Sequence, residues 1–207
     1  QTSFDQYGNP LQQRNPDGSG STRVYNGKLG HGGDCPAEPN GFVRFLRQQT
    51  DSPATEAVAF YADASDRITR FTWENIGANQ SVSVIVKNEQ SHYAGSRLLT
   101  QTRYSYDAST ALCGSLTSKA VTTFHQGQPA GTTEETFSIS PSEHTLSYDH
   151  SFTSYDKLRL NETREYSRWS HRLLSQCDAQ GKKSMTTWDK LGRQLAITHN
   201  AGTVYET

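Results

Sequence analysis

A histidine, an aspartate and a cysteine lie close together in the segment His31-Gly-Gly-Asp34-Cys35. Such side chains could hold a metal ion or form an activated thiol nucleophile. A closed metal site needs more ligands at suitable spacing, and the sequence has no Cys-x-x-Cys pair to supply them. The neighbouring glycines lack the strand-then-helix context of a phosphate-binding loop. We therefore interpret the segment as a polar loop and predict no metal site and no cofactor.

Paired carboxylates are the second kind of candidate chemistry. Glu134 and Glu135 are adjacent and Glu143 follows, so these residues could supply the two acids of a glycoside hydrolase. Neighbouring residues of a strand point to opposite faces, however, so Glu134 and Glu135 would not converge. No Gly-x-Ser-x-Gly motif marks a serine nucleophile. We predict no catalytic residues and expect the protein not to be an enzyme.

Aromatic rings are the third kind. Trp73, Trp169 and Trp188 could present flat, amphipathic rings to the faces of sugars. They support the alternative function that we keep open, a β module that binds carbohydrate or a cell surface through exposed aromatic rings. The competing interpretation is that the same rings pack inside the protein.

An ordered pattern of aromatic, aspartate and glycine residues occurs near both ends of the chain. Aspartate can accept hydrogen bonds from the backbone of a turn, and glycine can take the positive φ that hairpin turns require. An arginine that follows the glycine could lie on a neighbouring aromatic ring or reach an aspartate of the adjacent hairpin. We therefore interpret the pattern as structural, and its members are Phe4, Asp5, Gly8, Trp188, Asp189, Gly192, Arg193, Gly202 and Tyr205.

These motifs resemble the unit of the YD-repeat, or RHS-repeat, family, which reads Tyr-Asp-x-x-Gly-Arg-hydrophobic. The fullest copy is Trp188–Leu195, with Trp in place of Tyr, and the copy at 4–11 has Asn9 where Arg is usual. Residues 166–173 resemble a degenerate copy with His171 in the glycine place. The dipeptide alone remains at Tyr106-Asp107, Tyr148-Asp149 and Tyr155-Asp156.

The resemblance implies a bacterial, secreted virulence protein whose hairpins form a shell. Such a shell encloses or delivers a toxin cargo. The implied partners are the remainder of a longer polypeptide and other components of a toxin complex. The chain begins and ends beside copies of the motif, which we interpret as the sign of a fragment.

Composition favours thin sheets. Hydrophobic residues make up 32% of the chain, yet aromatic residues make up 10%, which is unlike a disordered chain. The net charge of −1 and the lack of a basic patch give no support for a nucleic-acid partner. No apolar run indicates a transmembrane segment. The three cysteines fit either one disulfide with a free thiol or three reduced thiols.

Turn signals recur every eight to twelve residues or so, which is typical of an all-β fold. We predict stacked antiparallel β-hairpins with little helix. Residues 1–28 form a YD-repeat-like hairpin, 29–160 a β-rich region of diverged repeats or an insertion, and 161–207 further YD-repeat hairpins. Within the middle part, Phe42–Arg47 predicts a strand. Ser52 followed by Pro53 predicts a short helix over 51–62, with a strand as the competing interpretation.

Overall fold

The computed structural model describes residues 1–54, 56, 58, 64–77 and 83–199, together with the backbone of 203–206. The described strand pairings are all antiparallel, which confirms the all-β prediction. The strands are β1 (Thr2–Phe4), β2 (Pro10–Arg14), β3 (Gly20–Tyr25), β4 (Leu46–Ser52), β5 (Arg67–Ile76), β6 (Val84–Ala94), β7 (Arg97–Tyr106), β8 (Leu116–His125), β9 (Gln128–Pro141), β10 (Thr145–Thr153), β11 (Arg159–Ser167), β12 (Leu173–Cys177), β13 (Lys183–Trp188), β14 (Gln194–His199) and β15 (Thr203–Glu206).

The chain forms two compact units, Gln1–Thr132 and Thr133–Thr207. In the first unit, β1 to β8 pair in chain order. In the second unit, β10 pairs with the later part of β9, and β10 to β15 again pair in chain order. Each unit is therefore a series of hairpins that stack on their chain neighbours. This division reflects packing, and the three-part division by motif stays a prediction.

Side chains alternate between two unlike faces of these strands. On β10, Tyr148, His150 and Phe152 share one face, and Ser147 and Asp149 point to the other. The alternation explains why so few apolar residues suffice for an ordered sheet. It also gives the second unit one aromatic face and one polar face.

The described strands lack a second packing layer. The main strand contacts within the described part of the chain join strands that are neighbours in sequence. Cys35 and Phe45 are the only described apolar residues that are buried. The chain exposes 13510 Å², whereas a compact monomer of 23.0 kDa exposes about 9,600 Å². Much of the sheet surface is therefore open to contact with other molecules.

The segment between β3 and β4 is an ordered loop. The buried carboxylate of Glu38 accepts hydrogen bonds from the backbone N–H groups of Asn40 at 2.7 Å and Phe42 at 3.1 Å. It also pairs with Arg44 at 2.8 Å. The strand predicted over Phe42–Arg47 is therefore wrong for Phe42–Phe45 and begins only at Leu46, because the side chains of Glu38 and Asn9 bind the backbone of Phe42 and Val43.

The predicted helix over 51–62 also fails at its first residues. Asp51 and Ser52 end strand β4 and do not cap a helix. Further along, Glu56 and Val58 are helical, and the backbone N–H of Val58 donates to the carbonyl of Ala54 at 3.3 Å, as predicted. Most of the other residues of that prediction lie outside the described part of the chain.

Candidate functional site

The carboxylate of Asp189 closes the turn between β13 and β14. Its Oδ1 accepts hydrogen bonds from the backbone N–H groups of Leu191 at 2.9 Å and Arg193 at 2.8 Å. The side chain of Arg193 donates from Nε to Oδ2 at 2.7 Å. Gly192 supplies the positive φ, 87°, that the turn requires. Arg193 therefore bonds to the aspartate of its own turn, whereas the sequence offered a neighbouring aromatic ring or an aspartate of the adjacent hairpin as its partner.

Asp5 closes the turn between β1 and β2 in the same way. Its Oδ1 accepts the backbone N–H groups of Tyr7 and Asn9, both at 2.8 Å. The Nδ2 of Asn9 donates to Asp5 Oδ2 at 2.9 Å and to the carbonyl of Val43 at 2.6 Å. Gly8 has a φ of 83°. Asparagine thus makes the side-chain contact that arginine makes in the other copy.

The two carboxyl groups are held in their ionised form. For Asp5, loss of hydration is the largest influence and raises the pKa, but hydrogen bonds from Asn9, Tyr7 and Gly8 outweigh it and lower the pKa below 3.8. For Asp189, hydrogen bonds from the backbone and side chain of Arg193 lower the pKa below the same value. A carboxylate held in this way accepts hydrogen bonds and is a poor proton donor near neutral pH.

A third turn of this kind lies between β12 and β13. Asp178 accepts the backbone N–H groups of Gln180 at 3.0 Å and Lys182 at 2.8 Å, although no aromatic residue precedes it. The shared signal in the sequence is Asp-x-x-Gly. Gly202 and the side chain of Tyr205, which belong to the predicted motif, lie outside the described part of the chain.

The isolated Tyr-Asp dipeptides occupy different places. Asp107 accepts the backbone N–H of Ser109 at 2.6 Å after β7, and Asp156 accepts that of Leu158 at 3.2 Å after β10. Asp149 instead lies in the middle of β10. Two of the three dipeptides therefore mark turns, and the third is part of a strand.

Aromatic residues also stand at the β-bulges. A bulge adds one residue to one strand, which bends the sheet and increases its twist. Seven described strand pairings contain a register shift, and an aromatic residue stands at each of them: Phe4, Tyr25, Trp73, Tyr93, Tyr106, Tyr166 and Trp188. These bulges could not be predicted from the sequence, because a single strand does not show the register in which it pairs.

In the second unit, the ring of Trp188 joins one bulge to the preceding one. Its Nε1 donates to the carbonyl of Leu173 at 2.8 Å, and Leu173 is the partner of Tyr166 at the preceding bulge. The Arg172 guanidinium lies 5.7 Å from the centre of the Trp188 ring and against Gly192. A side chain added at Gly192 would overlap this guanidinium. Arg172 thus makes the contact with a neighbouring ring that we expected of arginine in this motif.

The first unit repeats the arrangement. Trp73 Nε1 donates to the carbonyl of Leu46 at 2.9 Å, and Leu46 is the partner of Tyr25 at its bulge. The hydroxyl of Tyr106 donates to the carbonyl of Lys87 at 2.7 Å, and Lys87 is the partner of Trp73. Burial raises the pKa of Tyr106, so its hydroxyl keeps the proton that it donates. Hydrogen bonds from ring to backbone therefore connect the bulge at Trp73 with that at Tyr25, and the bulge at Tyr106 with that at Trp73.

The three tryptophans that could bind sugars differ in exposure. Trp73 and Trp188 are half-buried, and the Trp73 ring packs 4.8 Å from that of Phe45. Trp169 is 79% exposed and lies between β11 and β12. A role in carbohydrate binding stays a prediction for all three, and the geometry leaves Trp169 the most accessible.

The segment from His31 to Cys35 forms a tight loop. The backbone N–H of His31 donates to the carbonyl of Cys35 at 2.9 Å, and the carbonyl of Asp34 accepts the backbone N–H of Trp73 at 2.8 Å. Burial, and then the charge of Asp34, raise the pKa of the Cys35 thiol, which disfavours a thiolate nucleophile. Cys35, Cys113 and Cys177 form no disulfide with one another. Within the described residues, no group of three or more His, Cys, Asp or Glu side chains could hold a metal ion.

A groove of about 480 Å³ lies on the aromatic face of β9, β10 and β11. The ring of Phe137 stacks on His150 with centres 4.9 Å apart, and Tyr148 meets Tyr166 edge to face at 5.3 Å. Sequence reasoning missed this site, because its residues come from separate strands and meet only through their register. We call it the aromatic groove, and it is lined by Phe137, Tyr148, His150, Glu162, Arg164, Tyr166 and His171.

The fold defines the class of this protein as all-β, with antiparallel hairpins stacked in chain order. No protein-family model matches the chain, and a comparison with curated proteins finds no match. None of the helical residues that the structure describes belongs to a helix long and apolar enough to cross a membrane. The likeness to YD repeats therefore stays a prediction that depends on the motifs.

Proposed function

We propose that this chain is a structural, non-catalytic segment of a bacterial YD-repeat shell that encloses or delivers a toxin polypeptide. The observation that carries the proposal is the hydrogen bond from Trp188 Nε1 to the Leu173 carbonyl, 2.8 Å long, between successive motif-bearing hairpins. A hairpin cannot bury its own faces, so a wall made of hairpins depends on contacts between one repeat and the next.

Two kinds of contact would hold such a wall together. Asp189 closes a turn from within, and Arg172 and Trp188 join that turn to the connection between β11 and β12. Each hydrogen bond contributes only about 1 kcal/mol net, so the strength of the wall would come from their sum along the strip.

The open sheet faces support an enclosing role. The described strands make their main contacts with their chain neighbours, so another polypeptide has room to cover their faces. The net charge of −1 gives no strong attraction for a charged partner. The partners we propose are the remainder of the same, longer polypeptide, other toxin-complex components and an enclosed cargo.

Protection of a cargo from protease tests the proposal. The full-length polypeptide that contains this chain, isolated from its natural source, should hold a second polypeptide or domain that proteinase K cleaves only after denaturant opens the shell. The Arg172→Ala and Trp188→Phe variants should lower the denaturant concentration at which cleavage begins. If the isolated assembly contains no polypeptide that is protected in this way, the enclosing role is wrong.

A further inference from the structure

The register of β9, β10 and β11 brings rings and charged groups together on one face. Tyr148 is paired with Arg164, and His150 is paired with both Phe137 and Glu162. Side chains that are directly opposite in antiparallel strands lie on the same face, within reach of one another. We propose that the aromatic groove is a binding site for a neutral oligosaccharide, a role separate from that of a wall.

The rings provide an ordered apolar platform. Tyr148 is 37% exposed, and its edge-to-face packing at 87° against Tyr166 fixes the direction of its ring. The nearly parallel stack of Phe137 and His150, at 9°, fixes a second pair of rings beside it. The C–H face of a sugar ring packs well on such a surface, and rings that are already ordered lose little freedom on binding.

Polar groups for the hydroxyls lie beside the rings. Glu162 and Arg164 lie two residues apart on the same face of β11, with 3.6 Å between Glu162 Oε2 and Arg164 Nη2. Their side chains are 40% and 54% exposed, so a ligand can reach both. A carboxylate only accepts hydrogen bonds and a guanidinium only donates them. Neighbouring hydroxyls of a sugar could therefore donate to Glu162 and accept from Arg164.

The charge of the groove favours a neutral ligand. Glu162 and Arg164 balance each other, and Glu135 lies 3.5 Å from the Nε2 atom of His150 at the next position. An anionic ligand would meet Glu162 and Glu135, and a cationic ligand would meet Arg164. An apolar protein surface that covered the groove would bury the Glu162–Arg164 pair, and desolvation of the two charges would cost free energy. A neutral polyhydroxy ligand avoids these costs, and the volume of about 480 Å³ lies in the range of small-molecule sites.

Titration of the full chain tests the site. Maltotriose, cellotriose and chitotriose serve as neutral probes in calorimetry, and an array of neutral and charged glycans widens the search. We expect at least one neutral glycan to bind, and Tyr148→Ala to weaken its binding by about tenfold or more, the equivalent of one lost ring contact. Glu162→Gln should also weaken binding, and it keeps the test valid if Tyr148→Ala does not fold.

Matched control variants distinguish the loss of the ring contact from a general loss of folding. Tyr148→Phe keeps the ring and should bind as the wild type does. Ser147→Ala changes the opposite face of β10 and should leave the affinity unchanged. Circular dichroism shows whether each variant is folded.

Several outcomes would overturn the site. These are failure of every neutral glycan to bind, binding that survives both Tyr148→Ala and Glu162→Gln, or a preference for sulfated or sialylated glycans. Loss of binding in Trp169→Ala, with Tyr148→Ala unaffected, would move the site to the β11–β12 loop. Dimerisation that Tyr148→Ala abolishes would assign the groove to a second copy of the chain. None of these results bears on protease protection, so the wall proposal is tested separately.

Discussion

Gly8 and Gly192 hold the same place in two turns but have different surroundings. Both have a positive φ, of 83° and 87°, yet a Cβ at Gly8 would meet nothing within 4 Å, whereas one at Gly192 would meet the Arg172 guanidinium. Gly8→Ala should therefore cost only backbone strain, about 1–2 kcal/mol. Gly192→Ala should lower the free energy of unfolding further, because it also displaces Arg172. Denaturant unfolding of the two variants measures the difference.

The arginine itself supplies the control for this comparison. In an Arg172→Ala background, Gly192→Ala should cost no more than Gly8→Ala does in the wild type. Such a double-mutant cycle isolates the contact between the two residues. Equal costs for the two glycine variants in the wild-type background would show that the Arg172 contact has no energetic weight.

The aspartate carboxylates that close the turns should make the stability of the fold depend on pH. Hydrogen bonds from neighbouring side chains or backbone lower the pKa of Asp17, Asp107, Asp156 and Asp189 below 3.8. These groups bind protons more readily in the unfolded chain, so their contribution is fully present above that value and is lost as the pH falls below it. We expect the melting temperature to fall as the pH is lowered through and below 3.8, as measured by circular dichroism.

One variant checks the source of this acid sensitivity. Asp189→Asn keeps an oxygen that can accept the turn hydrogen bonds, but it has no carboxyl group to protonate. Its melting temperature should therefore lie below that of the wild type at neutral pH and should fall less on acidification. A wild-type melting temperature that rises on acidification would contradict the assignment of these carboxylates to the turns.

Between strands, the bonds from ring to backbone should determine how strongly one hairpin holds the next. Tyr106→Phe keeps the ring but removes the hydroxyl that donates to the Lys87 carbonyl at 2.7 Å. We expect a loss of about 1 kcal/mol and faster amide hydrogen exchange in β6 and β7. Tyr7→Phe makes the same chemical change on an exposed side chain and should leave exchange unchanged. Identical exchange in both variants would remove the proposed link between bulges.

Strand positions and turns could be predicted from the sequence because each depends on a local pattern. The regular turn signals predicted an all-β fold, which the antiparallel strands confirm, and the Asp-x-x-Gly spacing marks three closed turns. Which ring Arg172 contacts, and the aromatic groove as a whole, could not be predicted, because both depend on register between strands. The strand predicted at Phe42–Phe45 was wrong for a similar reason, since the buried carboxylate of Glu38, from elsewhere in the loop, binds the backbone N–H of Phe42.

At the scale of the whole chain, exposed apolar side chains and a low net charge should together promote self-association. The sheets expose many large apolar residues, and the isoelectric point is about 6.7. Electrostatic repulsion between copies is weakest near that pH. We expect light scattering to detect association that grows with concentration at pH 6.7 and weakens at pH 9, where the chain is negatively charged.

Single lysine substitutions show whether the apolar surface drives this association. Met185 and Leu195 are 55% and 52% exposed, so Met185→Lys and Leu195→Lys should fold and should reduce the fraction of associated chain. Gln180→Lys adds the same charge at an exposed polar position and should reduce association less. If all three act equally, net charge and not apolar surface is responsible. If the wild type stays monomeric at pH 6.7 at every concentration, its sheet faces need no covering partner, and the argument from open faces to a shell wall is lost as well.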